Sequence, residues 1–289
     1  MQNKKARVAA LSIASNTLLV IGKIAVGIIT GSISIISEAI HSGIDLIASI
    51  IAYYSVRVSA CPCDEKHPFG HGKSENISGL IEAVLIFSAG LIIIIEAFEK
   101  IFNGVKIENI EFGIAVMFFS MVMNIIVSKM LFKVAKETDS LALEADAQHL
   151  MTDVYTTLGV FIGLILIRVF NMPLLDPVVA MLIALLIIKV SIDLTMKAVD
   201  PLMDKQLPDN EIEIIKKALY TEADVKAFHR LRTRRSGAHR HIDFHVQVTR
   251  SLHIDRAHKL TERLEEKIRQ GLPNSEVVIH VEPDTHQEE

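Results

Sequence analysis

The stretch "SEAIHSGIDLIAS", residues 37–49, decides how the whole chain is read. It lies inside an apolar run from residue 33 to 55 that contains no proline. Such a run is long enough to cross a hydrocarbon core, which takes about 20 apolar residues. Yet it carries Glu38, His41 and Asp45. An ionisable side chain held mid-membrane costs ~2.5–3.5 kcal/mol on insertion scales, so these groups require a partner.

The rest of the chain supports a membrane reading. Half of the 289 residues are hydrophobic, and the mean hydropathy is +0.38. The net charge of −4 offers no basic surface for nucleic acid. Besides 33–55, apolar runs at 8–29, 76–98, 112–134, 145–169 and 177–199 make six candidate spans. Tight breaks separate them: "TGS" after the first, "NGVKIEN" after the third, "NMPLLDP" after the fifth. An even number puts both termini on one side. The N-terminus, the 56–75 and 129–142 loops and the segment after span six hold Lys4, Lys5, Arg7, Arg57, Lys66, Lys73, Lys129, Lys133, Lys136, Lys197 and Lys205. The opposite loops hold only Lys100, Lys106 and Arg168. Cationic loops stay inside, so both termini are expected in the cytoplasm. Cys61 and Cys63 flank Pro62 and read as ordinary thiols near the membrane surface.

After "DPLMDKQLPDNE" the pattern changes. "NEIEIIKKALY" is helical, with Ile212, Ile215 and Leu219 on one stripe. "VKAFHRLRTRR" and "HRHIDFHVQV" alternate around "SGA" as a hairpin. "SLHIDRAHKLTERLEEKIRQG" is an amphipathic helix, with Ser251 as the expected cap, a stripe of Ala257, Leu260, Leu264 and Ile268, and Gly271 as the stop. "EVVIHVEP" is a closing strand. The fold class expected is therefore a membrane all-α six-helix transmembrane bundle over residues 1–204. A C-terminal cytoplasmic α+β domain, αββαβ and ferredoxin-like, follows over 205–289.

The chemistry concentrates in two repeated pairs. His41 and Asp45 stand four apart, one helical turn, on a single face. His149 and Asp153 repeat the spacing in span five, within "ALEADAQHLMTDVYTTLGV". Two neutral imidazoles and two carboxylates carry a charge of −2, which a dication cancels. Four N/O donors suit tetrahedral Zn²⁺. Two imidazoles disfavour Mg²⁺ and Ca²⁺ and make Mn²⁺ a weaker fit, leaving Fe²⁺, Co²⁺ and Cd²⁺ open. The plainer alternative, hydrogen bonds that merely hold the bundle together, explains one such pair better than two. Glu38 shares the face and reads as a water-facing or hydrogen-bonded glutamate. A four-ligand site leaves no open position for activated water, and no His-Glu-x-x-His motif is present, so an intramembrane hydrolase is disfavoured. A membrane-anchored metal sensor would give His41 and Asp45 no reason to be intramembrane.

With its six spans, two paired motifs, αββαβ tail and the segment "HPFGHGKSE", the chain resembles the cation diffusion facilitator family of divalent-metal transporters. The resemblance implies no enzyme but an efflux transporter of the cell (inner) membrane, a homodimer in the lipid bilayer exchanging cytoplasmic metal for protons by alternating access. Zn²⁺ is the implied cargo, with Fe²⁺, Cd²⁺, Co²⁺ or Mn²⁺ as alternatives. Its transport site falls on His41, Asp45, His149 and Asp153. Its loop site falls on Asp64, His67 and His71. Its cytoplasmic metal ligands fall on His229, His245, His258, His280 and Glu282, the last commonly Asp in relatives, in an arrangement able to hold two metals at the dimer interface. Lys73 and Asp204 match an ion pair between bundle and soluble domain. His239, His241, His253 and His286 have no such match and read as solvated surface histidines.

Overall fold

The computed structural model describes residues 2–31, 33–103, 111–170, 172 and 174–284. Six long helices come first: α1 (Gln2–Thr30), α2 (Ile33–Ser59), α3 (Ser74–Asn103), α4 (Glu111–Thr138), α5 (Leu141–Phe170) and α6 (Leu175–Leu202). A smaller unit follows: α7 (Asp209–Tyr220), β1 (Ala227–Ser236), β2 (His239–Val248), α8 (Ile254–Gly271) and β3 (Ser275–Pro283).

The long helices have 27 to 30 residues. At 1.5 Å per residue they are about 40–45 Å long, the thickness of a bilayer with its headgroups. They form a multi-pass membrane bundle. Five contain a window apolar enough to cross a membrane. The sixth, α5, has the length, but its first half carries Glu144, Asp146, His149 and Asp153. Large apolar side chains point outward, among them Ile29, Leu182 and Val169. Small ones face inward: Ala9, Ala52, Ala83, Ala142, Ala145 and Ala184 are wholly buried. Lipid is as apolar as leucine, so helices associate through close backbone approach, and small residues permit it. At Gly159 the missing side chain leaves room for Ile183 of α6, whose Cδ1 a Cβ there would meet at 2.3 Å.

One expectation about the bundle changes here. No open loop spans 129–142. α4 runs through Lys129, Lys133 and Lys136 to Thr138, and α5 resumes at Leu141, because Asp139 takes a left-handed φ of 49° that turns the chain at once. Residues 104–110, most of "NGVKIEN", lie outside the described residues, as does His286.

In the smaller unit the sheet runs β1-β2-β3, with β1–β2 antiparallel and β2–β3 parallel. A parallel neighbour needs a crossover, and α8 supplies it. Ile242, Phe244 and Val246 on one face of β2 are buried with Ile215 and Leu219 of α7 and Leu260, Leu264 and Ile268 of α8. Alternation along β2 therefore sends His241, Asp243 and His245 to the face opposite the helices. The cap of α8 is His253, whose Nδ1 accepts the Asp255 N–H at 3.4 Å, and not Ser251. The turn closed by Leu252 N–H donating to Thr249 O keeps Ser251 outside the helix.

Candidate metal centre

Helices α2 and α5 bring the two repeated pairs together, and they pair crosswise. His149 Nε2 of α5 lies 2.9 Å from Asp45 Oδ1 of α2. His41 Nε2 of α2 lies 3.9 Å from Asp153 Oδ1 of α5. Donor atoms of His41, Asp45 and Asp153 fall within 4.8 Å of one another. Ligands on a tetrahedral ion with bonds near 2.0–2.1 Å stand about 3.3 Å apart, so small side-chain rotations close this trio on a metal. His149 stands outside the trio, joined to it through Asp45. Asn124 of α4 donates to Asp153 Oδ2 at 3.3 Å. His149 and Asp45 are buried, whereas the His41 side chain is 51% exposed. His41 faces a cavity of about 400 Å³ that runs along Asp45 and Asp153 towards Lys100 and Asp176, at the end of the bundle away from the small domain.

Several charged residues around the centre were not singled out by sequence reasoning. Lys23 of α1 donates to Glu38 at 3.0 Å and to Ser42 Oγ at 2.8 Å, so Glu38 is ion-paired. Glu82 of α3 is fully buried, 3.4 Å from His149 Nδ1. Asp146, one turn before His149, accepts from Ser49 Oγ at 3.3 Å and is likewise buried. The signal was present: each is an ionisable residue inside an apolar run, as His41 is. At the opposite end Lys5 reaches Glu75 at 3.0 Å, and Ser59 and Ser140 also donate to that carboxylate, at 2.8 and 2.5 Å. One buried side chain thus gathers the ends of α1, α2, α3 and α5.

The 60–73 connection gathers Asp64, His67 and His71. Asp64 lies 3.1 Å from His67 Nδ1 and 3.3 Å from His71 Nε2. The backbone N–H of His67 donates to the Asp64 carboxylate at 2.6 Å and holds its pKa below the usual carboxylate range. These three also form a cluster able to hold a cation. Cys61 and Cys63 nearby are exposed free thiols. The loop rests on the β1–β2 hairpin. Phe69 lies under the Arg234 guanidinium at 4.6 Å and edge-on to His241 at 5.3 Å.

On the sheet face opposite the helices, His229, His245 and His280 stand at paired register positions across the three strands. Glu282 lies 2.7 Å from His245 Nδ1, 3.3 Å from His229 Nε2 and 3.6 Å from His280 Nε2. The hydrogen bond from His245 draws the Glu282 pKa down. His258 is not brought to this cluster. It sits on α8, which covers the other face of the sheet, and pairs with Glu262 at 3.5 Å. His241 is not a solvated histidine either: its side chain is 12% exposed. Lys73 Nζ lies 2.8 Å from Asp204 Oδ1, and Arg234 approaches the same carboxylate at 3.4 Å. The Lys73 hydrogen bond lowers the Asp204 pKa despite some burial.

Comparison with known proteins gives a consistent result over this architecture. Residues 9–203 match the family model described as cation efflux transmembrane domain. Residues 207–284 match that of the cation efflux protein, cytoplasmic domain. The chain is 35% identical over 257 residues to an uncharacterized transporter of Synechocystis sp., spanning 88% of this chain and 83% of that one. It is 31% identical over 280 residues to the cation-efflux pump FieF of Serratia proteamaculans, spanning 97% and 92%. A solved structure of the metal-bound C-terminal domain of the CzcD transporter from Thermotoga maritima matches 27% of this chain and 93% of its own, at 29% identity and a TM-score of 0.26.

Proposed function

Because the chain belongs to the cation diffusion facilitator family of cation efflux transporters, which are not enzymes, we propose that it exports Zn²⁺ from the cytoplasm in exchange for protons. One observation carries this reading: His41, Asp45 and Asp153 converge within 4.8 Å in the bundle, with His149 against Asp45. Two nitrogen and two oxygen donors favour Zn²⁺ over the all-oxygen shells that Mg²⁺ and Ca²⁺ require. The same donors accept Fe²⁺, Co²⁺ and Cd²⁺, and Mn²⁺ less well.

The cycle follows from the ligands. Metal arriving from the cytoplasm displaces protons from His41 and His149, since only neutral imidazole binds metal. The loaded bundle then opens outward through the cavity towards Lys100 and Asp176, and protons from outside expel the ion. Residues 1–204 form the transport unit in the cell (inner) membrane, and both termini lie in the cytoplasm. Residues 205–289 form a regulatory and dimerisation unit. Asp64, His67 and His71 hold one further ion. His229, His245, His280 and Glu282 hold metal on the sheet face, and a second subunit brings its His258 within reach. Lys73 and Asp204 hinge the two units. Metal that draws two cytoplasmic units together biases the bundle by linkage.

Full-length protein in liposomes with an imposed pH gradient tests this. Wild type, His41→Ala and Asp153→Ala are assayed with Zn²⁺, Fe²⁺, Cd²⁺, Co²⁺ and Mn²⁺ separately. Zn²⁺ uptake coupled to proton flux, lost in both variants, is expected. Equal uptake by all three proteins would refute the site.

A further inference from the structure

The fully buried carboxylate of Glu82 is the feature the transport reading leaves unused. It sits in α3, its side chain 1% exposed. Neither of its oxygens has a hydrogen-bond partner at ordinary geometry. A carboxylate inside a membrane bundle is costly and is kept where it serves a site. The polar atom it faces is His149 Nδ1, 3.4 Å from Oε2 and itself without a hydrogen bond. On the far side of the same ring, Nε2 points at Asp45 at 2.9 Å. The imidazole of His149 is therefore held between two carboxylates, one inside the candidate centre and one behind it.

We infer that Glu82 is the positioning residue of the centre: it accepts the Nδ1–H of His149 and so fixes the ring with its Nε2 lone pair aimed at the metal. A neutral imidazole carries one N–H, and the partner of one nitrogen decides which tautomer the other presents. Metal-bound histidines generally donate their second N–H to a carboxylate or carbonyl, and loss of that partner weakens metal binding about 10–100-fold. The 3.4 Å separation closes to hydrogen-bond length by a small rotation of either side chain. No other helix supplies an acceptor to Nδ1 among the described residues. Glu82 touches no cargo, and it does not line the cavity that reaches His41, Asp45 and Asp153.

This inference rests on His149 being a ligand, and the experiment separates the two. Full-length wild type, Glu82→Gln, Glu82→Leu and His149→Ala are compared for Zn²⁺ affinity by titration, for Zn²⁺ uptake in liposomes, and for thermal unfolding without metal. Gln keeps an acceptor oxygen and should hold affinity within about threefold of wild type, whereas Leu should weaken it about 10–100-fold. Leu removes the desolvation cost of a buried carboxylate but leaves the His149 Nδ1–H unpaired; these effects oppose one another, so its unfolding midpoint should stay near that of wild type. A purely structural glutamate predicts the reverse, a lower midpoint with unchanged affinity, and that result would overturn the inference. Wild-type affinity in Glu82→Leu together with a defective His149→Ala would also overturn it, leaving the transport site intact. An unaffected His149→Ala would remove the premise itself.

Discussion

His149 of α5 bonds Asp45 of α2 at 2.9 Å, while His41 of α2 faces Asp153 of α5 at 3.9 Å. Each histidine thus pairs with the aspartate of the opposite helix rather than with the one a turn away. The two couples differ in burial: the first is enclosed and the second opens onto the cavity. The enclosed couple should matter more. His149→Ala is expected to weaken Zn²⁺ binding at least about a hundredfold, and His41→Ala about tenfold, a difference of ~1.4 kcal/mol. His41→Asp replaces a nitrogen by a harder oxygen donor and should move preference towards Mn²⁺. Competitive metal titration of the three purified variants measures both effects. Equal losses in the two alanine variants would contradict the asymmetry.

Glu75 gathers the bundle's other end. With Lys5 side-chain exposure at 11% and Glu75 at 1%, this ion pair is buried. Removing one partner of a buried pair strands the other's charge, at a cost of about 3–5 kcal/mol. Lys5→Ala should therefore lower stability by roughly that amount. The double variant Lys5→Met with Glu75→Leu should recover most of it, since no charge is then left buried without its partner. Thermal unfolding in detergent, read for both, decides. A double variant as unstable as the single would show that the carboxylate is needed for Ser59 and Ser140 instead.

Much of this molecule was legible in its sequence, and the parts that were not share a cause. The length of the apolar runs located the six long helices, and alternation in "HRHIDFHVQV" located β2 at its observed bounds, because hydrophobic pattern sets both. His41, Asp45, His149 and Asp153 were visible because they repeat at helical spacing in apolar surroundings. Glu82, Asp146 and Lys23 stood in similar surroundings, but each occurs once, and a single residue gives no spacing from which to infer a partner on another helix. His258 went the other way. The family resemblance implied a ligand there, yet the packing of Leu260 and Leu264 against Phe244 turns α8 to the far face of the sheet. The role of His241 depended on Phe69 reaching over from a loop 172 positions earlier, which no local pattern encodes.

Gly72 sets how closely that loop approaches the hairpin. A Cβ there would stand 2.3 Å from the Ser236 carbonyl oxygen, and Gly237 opposite holds a left-handed φ of 60°. Backbone meets backbone, so no side chain can yield. Gly72→Ala should force the loop off the hairpin at a cost of about 1–3 kcal/mol, as overpacking does. Hydrogen exchange on the intact protein should then show lost protection in residues 71–74 and 235–238. Protection unchanged from wild type would mean that the contact tolerates a methyl group.

The same interface should be sensitive to pH through His241. Burial lowers its pKa below the ordinary 6.5, with Arg234 and His239 adding to the effect and Glu276 at 3.2 Å opposing it. A histidine whose folded pKa is depressed binds its proton more readily once released. Stability from this group is thus complete above 6.5 and declines as pH falls through 6.5 towards the folded value. Its ring is edge-on to Phe69, so the loss should appear as release of the loop carrying Asp64, His67 and His71. His241→Phe isolates the contribution by keeping the ring contact without a proton. Exchange protection of residues 64–72, corrected for intrinsic rates, should fall between pH 7.5 and pH 5.5 in wild type and fall less in His241→Phe. An identical decline in both proteins would remove His241 as the source of the sensitivity.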